Sequence, residues 1–140
     1  MTVSELVPAV IDWNRGPLAS LARRPLEDRR VEVRSGSVVD ILSASQHSFD
    51  GIILDVDNGP EAVLYQPNRF LYSAGGLEVV KRALTVGGTL GIWSADRSAT
   101  FENTLNDAGF KWRRVEVDAR GDDGGPEHTI YLARAGLEAG

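Results

Sequence analysis

"GIILDVDNGPEAVLY", residues 51–65, sets an apolar run directly before two carboxylates, Asp55 and Asp57, and then turns through Asn58, Gly59 and Pro60. The run reads as a strand buried on both faces, the pattern of a parallel sheet covered by helices. Charge at the mouth of so apolar a strand must be solvated, paired or used. Ligands of open α/β sheets bind beyond the carboxyl ends of the strands, so this end is the first place to look for chemistry.

Working outward, short β-rich runs alternate with helical patterns, which predicts an α/β domain with a mostly parallel sheet. After a loop from Asp57 to about Asn68, "AGGLEVVKRAL" is an amphipathic helix with Leu77, Val80 and Leu84 on one stripe, ended by Gly87 and Gly88. "TLGIWSA" is a second buried strand, and "ATFENTLNDAGF" a helix closed by Gly109 at the C′ position. "KWRRVEVDA" and "HTIYLARA" flank the polar connection "RGDDGGPE" with no helix between them, so they should pair antiparallel at one end of the sheet. Upstream, "TVSE" is a short strand and "VPAVIDWN" a helix start, with Pro8 in the first turn where a missing N–H costs nothing. Gly16 and Pro17 break that helix, and "LASLA" continues it as a second piece. "RVEVRSG" is a strand with Val31 and Val33 on one face, followed by the short helix "VVDILSA".

The chain has 140 residues, 42% of them hydrophobic, enough for one domain, expected over residues 1–136 with a frayed tail at 137–140. Acidic residues number 20 against 15 basic ones, and the basic residues are spread along the chain, which argues against nucleic acid as a partner. Cysteine is absent and there are only 2 histidines, so the composition offers no disulfide framework, no thiolate nucleophile and no histidine-rich metal site. No apolar run approaches the roughly 20 residues of a membrane span, and "MTVSELVPAV" lacks the features of a signal peptide. A soluble cytoplasmic protein is the expectation.

Three strand ends carry candidate chemistry. Glu5 closes the first strand, Ser37 follows the second, and Asp55 closes the third. A carboxylate such as Glu5 matches the vicinal diol of a ribose, or serves as a helix-start acid at the positive end of the next helix. Asp55 and Asp57 can hold a cationic amine, and one can take a proton from it. Asp57 and Asn58 can equally be turn formers whose side chains bond the backbone. Tyr65 and Tyr72 are candidate aromatic walls or hydroxyl partners beside this loop, or its anchors to the following helix. Trp13 and Trp112 read as core or rim packing, and His128 as a strand-end residue near the surface.

The segments "SELVPAVIDWNR", "VEVRSGSVVDIL", "FDGIILDVDNGPEAVLY", "FLYSAGGLEVVKRALTVGGTLGIWSA" and "AGF…HTIYLAR" resemble the catalytic domain of spermidine synthases and related polyamine aminopropyltransferases. The "D-x-D-N-G-P" loop, the "LYS" after it and the "GG" before the next strand are the most specific parts. The resemblance implies the Rossmann-like fold of S-adenosylmethionine-dependent methyltransferases, with an antiparallel C-terminal hairpin. It also implies roles. Glu5 would hold the ribose of decarboxylated S-adenosylmethionine, S-adenosylmethionine or the methylthioadenosine product, with Ser37 and Val38 bordering the adenine. Asp55 would orient and deprotonate the attacking amine of putrescine or a similar polyamine, and Asp57 would lie in the gating loop with Tyr65 and Tyr72 beside it. No metal or prosthetic group is required.

The sequence departs from the family pattern in three places. Ser37 stands where the family carries an adenine-binding Asp, and "D-V-D-N-G-P" is one residue shorter between its acids than the usual gate loop. The family also places a strand and a glycine-rich loop ahead of the acid matching Glu5, and an N-terminal β domain before that. The expected fold is therefore a truncated one with its first strand missing. In it the Glu5 strand pairs directly with "GIILDV", or another chain fills the gap, since unpaired central edges aggregate. Three functional expectations follow: an aminopropyltransferase-like or methyltransferase-like domain inactive by itself, a non-catalytic nucleoside-binding remnant, or a dimerisation module. A homodimer is expected.

Overall fold

Among the described residues, hydrophobic runs and turn residues place six strands and four α-helices in the order β1 (Thr2–Glu5), α1 (Pro8–Arg15), β2 (Glu32–Ser35), α2 (Val38–Ser43), β3 (Phe49–Leu54), α3 (Ala74–Ala83), β4 (Leu84–Ser94), α4 (Ala99–Asp107), β5 (Phe110–Asp118) and β6 (Glu127–Ala135). The computed structural model describes residues 1–120 and 124–135, so the expected 137–140 tail and the middle of "RGDDGGPE" lie outside the described residues. Two units, Met1–Ala44 and Ser45–Gly140, divide the chain.

In the first unit β1 and β2 pair in parallel, from Thr2 opposite Glu32 to Glu5 opposite Ser35. Pro8 opens α1, and the helix stops where the Gly16 N–H donates to the Asp12 carbonyl. Residues 17–23 then form turns and not the second helical piece expected from "LASLA". The Leu18 N–H donates to the Trp13 carbonyl, and the backbone reaches the left-handed region at Arg23 and Arg24, which ends any helical repeat. Ile11, Ala19 and Leu42 are the buried apolar side chains of this unit.

The second unit is a four-stranded sheet in the order β3-β4-β6-β5. β3 runs parallel to β4, whereas β6 is antiparallel to both β4 and β5. The C-terminal hairpin thus forms as expected, with β6 inserted next to β4 and β5 at the edge. α3 contributes Leu77, Val80 and Ala83 to the core and α4 contributes Phe101 and Leu105, against Leu54, Leu90, Ile92 and Tyr131 of the sheet.

Two expectations are corrected. β3 is not buried on both faces: Leu54 is inaccessible, but Ile53 is 82% exposed, because β3 is the edge strand of its four-stranded sheet. Gly87 and Gly88 do not end α3; the helix stops at Ala83 and β4 begins at once, so both glycines lie inside that strand. Gly87 has φ +78°, and the β3–β4 register slips between Phe49 and Gly51, as an irregular strand start requires. Among the described residues, β1 takes β2 as its ladder partner within the first unit and β3 takes β4 within the second.

Candidate functional site

The acidic strand end is held by its own loop. Asp55 follows the inaccessible Leu54, and its exposed carboxylate has no hydrogen bond or ion pair among the described residues. One residue on, the Val56 carbonyl accepts from the Tyr72 hydroxyl at 2.9 Å. Asp57 adopts φ +55°, a conformation that Asp tolerates better than most residues. Both its carboxylate oxygens are engaged: Oδ1 accepts from the Tyr65 N–H at 3.3 Å and Oδ2 from Asn68 Nδ2 at 2.7 Å.

Gly59, at φ +92°, passes so close to Ser94 that a Cβ there would collide with it. The Asn58 carbonyl next to it accepts from the Ala95 N–H at 3.1 Å, which ties the loop to the end of β4. Glu61 then bonds the Ser98 hydroxyl. Ser98 also caps α4, accepting from the Phe101 N–H at 3.0 Å, and its own N–H donates to the Tyr131 hydroxyl at 2.8 Å. Glu102, nearly buried, accepts from Arg97 and Arg114. The Arg97 hydrogen bond is the chief reason that its carboxyl lies below the ordinary range.

Tyr72 packs edge-on against Phe101, with centroids 5.7 Å apart, and Phe101 against Tyr131 at 5.4 Å. Burial pushes the Tyr72 phenol upward, and the charges of Asp57 and then Asp55 push it the same way. The structure therefore brings Asp55, Asp57, Tyr65 and Tyr72 into one loop cluster. Asp57 serves the turn, Tyr72 anchors the loop, and Asp55 is the carboxylate left facing solvent.

In the first unit the parallel pairing sets Glu5 beside the β2–α2 turn, where the Gly36 N–H donates to the Glu5 carbonyl at 2.9 Å. The Glu5 Oε1 accepts from the Val7 N–H at 2.8 Å, which is the helix-start role. Ser37 is the N-cap of α2, its Oγ accepting from the Val39 N–H at 3.2 Å, and Val38 is the first helical residue. Glu5, Ser37 and Val38 are thus neighbours. A cavity of about 230 Å³ in this unit is lined by Glu5 together with Val3, Val10, Ile11, Asn14, Leu26 and Val33.

Asn68, Ser98 and the Arg97–Glu102–Arg114 set were not singled out by sequence. Ser98 was readable as a cap, a Ser just ahead of a helical run. Asn68 and Arg114 carry no local signal, because their partners lie 11 and 12 residues away, whereas Arg97 lies 5 residues from Glu102. Trp112 donates to Asn106 at 2.8 Å and packs on Tyr131 as a rim residue, whereas Trp13 is 54% exposed.

No protein-family model and no curated protein matches the chain. Among solved structures, a spermidine synthase in complex with the transition-state analogue AdoDATO aligns at TM-score 0.75 and 18% identity, covering 98% of this chain and 47% of that one. The chain has the fold of spermidine synthases and S-adenosylmethionine-dependent methyltransferases. The spermidine synthase from Thermotoga maritima aligns at TM-score 0.69 and 16% identity, covering 98% of this chain and 46% of its own. An O-methyltransferase from Bacillus cereus, in complex with SAH, aligns at 0.60 and 18% identity over 96% of this chain and 62% of its own. The chain spans about half the length of the spermidine synthases it resembles.

Proposed function

We propose that this chain is a spermidine synthase-like domain whose strand ends supply the amine and nucleoside contacts of an aminopropyl transfer in polyamine biosynthesis, in the cytoplasm. The observation that carries the reading is the Asp55 carboxylate, exposed beyond an inaccessible strand residue and beside a loop pinned by Tyr72 and Asn68. A rigid support under one free acid is what orientation of an amine needs.

The nucleoside end fits a ligand of the S-adenosylmethionine class in part. Glu5 keeps Oε2 free for a ribose hydroxyl after Oε1 has taken the Val7 N–H, and the Ser37 hydroxyl keeps its proton to donate after accepting from Val39. The cavity beside Glu5 is smaller than the roughly 300–1,000 Å³ of common ligand clefts, so it holds only a part of such a ligand. In the transfer, the amine nitrogen attacks the carbon attached to the sulfonium, the carbon–sulfur bond breaks towards methylthioadenosine, and Asp55 accepts the proton released from the amine. Because the cavity beside Glu5 holds only a part of such a ligand, we propose that the chain by itself binds nucleoside without turnover.

Thermal unfolding with methylthioadenosine tests this. A rise in Tm that is lost in Glu5→Ala supports the reading. No shift at millimolar ligand sinks it, and turnover of decarboxylated S-adenosylmethionine with putrescine, abolished in Asp55→Asn, would replace "binding only" with catalysis.

A further inference from the structure

The cavity beside Glu5 is walled by the first unit, and all of its lining residues lie in Met1–Ala44. Val3 and Val33 stand opposite each other in the β1–β2 ladder, and Glu5, two residues on from Val3, falls on the same side of the strand. α1 closes the space with Val10, Ile11 and Asn14, and Leu26 of the short turn Pro25–Glu27 completes it. An apolar cavity of roughly 150 Å³ takes a benzene ring. At about 230 Å³ this one has room for a flat heterocycle between strand and helix.

The walls are aliphatic, and the polar atoms left over are of one kind. Glu5 Oε1 takes the Val7 N–H, which leaves Oε2. Asn14 Nδ2 donates to the Val10 carbonyl at 2.9 Å, one turn back, and that bond fixes the amide. The Asn14 Oδ1 then has no donor among the described residues, although the side chain is half-buried. The lining thus offers acceptors and no unengaged side-chain donor, so a carboxylate or phosphate would meet nothing to bond. A ligand with an apolar body and a hydrogen-bond donor at each end fits. From Val7 to Asn14 the helix rises about 10 Å, and the Asn14 side chain leans back toward the helix start. An adenosine has this form: ribose hydroxyls donate at one end, the amino group donates at the other, and the purine lies between.

We propose, resting on the nucleoside reading of Glu5, that the purine enters this cavity and that Asn14 Oδ1 accepts from its exocyclic amino group, which makes Asn14 the residue that selects adenine over a 6-keto purine. A keto oxygen at that position would face the Asn14 oxygen, acceptor against acceptor, and the ligand would lose the bond as well. The ring nitrogens keep their water, because every lining residue except Ile11 is only half-buried. Ser37, which the family resemblance sets beside the adenine, caps α2 and is not part of this lining.

The test is calorimetric titration of the full chain with methylthioadenosine and with methylthioinosine, which carries a keto oxygen in place of the amino group. The parent is expected to bind methylthioadenosine at least about tenfold tighter, and Asn14→Leu to bind the two within about twofold of each other. Asn14→Asp, which keeps an acceptor, is expected to retain the preference. Val33→Phe fills the cavity from the strand side and should abolish binding of both nucleosides. Circular dichroism of each variant without ligand separates a folding defect from lost binding, and if Asn14→Leu does not fold, Val33→Phe carries the test. Equal binding of the two nucleosides by the parent overturns the role of Asn14 and leaves the nucleoside reading standing. So does a preference that survives Asn14→Leu, or one that is lost in Ser37→Ala instead. Binding of methylthioadenosine unchanged in Val33→Phe puts the base elsewhere and overturns the proposal too. No binding of either nucleoside by the parent makes the cavity a packing gap and removes the nucleoside reading together with this proposal.

Discussion

Gly59 and Tyr72 fix the acidic loop by different means, and each makes a separate prediction. At Gly59 the backbone is left-handed and a side chain has no room beside Ser94. Gly59→Ala should therefore destabilise the chain by about 2 to 4 kcal/mol, from backbone strain and overpacking together. Gly87→Ala, at φ +78° with open space around it, bears only the backbone part, about 1 kcal/mol. Urea unfolding of both variants checks the difference. Tyr72 acts through its neutral form, since its phenol is raised by burial and by the carboxylates of Asp57 and Asp55. A raised folded value means that this stabilisation is complete below the ordinary phenol value of 10 and fades as pH rises above it. Tyr72→Phe should cost about 1 kcal/mol at neutral pH for the bond to Val56 and should flatten the alkaline loss of stability. Unfolding curves from neutral pH to pH about 11 read both effects.

At the scale of elements, the start of α4 joins the loop to the sheet. Ser98 caps the helix and bonds Glu61, its N–H meets Tyr131, and Glu102 in the first turn holds Arg97 and Arg114. The Glu102 carboxyl is lowered by the Arg97 hydrogen bond first, against desolvation, with Arg114 adding to it. A lowered folded value contributes stability above the ordinary glutamate value of 4.5 that is lost as pH falls through the folded value. Glu102→Gln should lose about 1 to 3 kcal/mol at neutral pH and show a shallower acid transition below pH 4.5, measured by unfolding across that range. The elements themselves were legible where local chemistry decides them: Pro8 at a helix start, Gly109 with φ +75° at a helix end, and a helix-free connection that makes a hairpin. The failures share a cause. "LASLA" has helical composition but follows Gly16 and Pro17, and "GIIL" has the composition of a central strand while its position is an edge, which only the strand order reveals. At the site, Asp55 was readable because a charge after an apolar run stands out, whereas Asn68 is brought in by the loop and Arg114 by the hairpin.

At the scale of the whole molecule, the two units differ in how much apolar surface each removes from water. In Met1–Ala44 a two-stranded sheet has Ile11, Ala19 and Leu42 as its buried apolar side chains, which is little for a segment of that length. In the other unit β4 and β6 are paired on both edges, and Leu90, Ile92, Tyr131 and Ala133 are all 1% exposed or less. Strand amides with two neighbours and a packed face open only when the unit unfolds, so their exchange reports global stability, about 5 to 15 kcal/mol for ordinary domains. Amides of β1 and β2 open locally, at a lower free energy, because each strand has one neighbour and mostly half-buried or exposed side chains. Hydrogen exchange followed by mass spectrometry should thus show β1 and β2 peptides exchanging well before those of β4 and β6. If methylthioadenosine binds through Glu5 and Ser37, it should slow the first set and leave the second unchanged. Equal exchange of the two sets without ligand would refute the difference in stability, and ligand protection confined to β4 and β6 would move the nucleoside contacts away from Glu5.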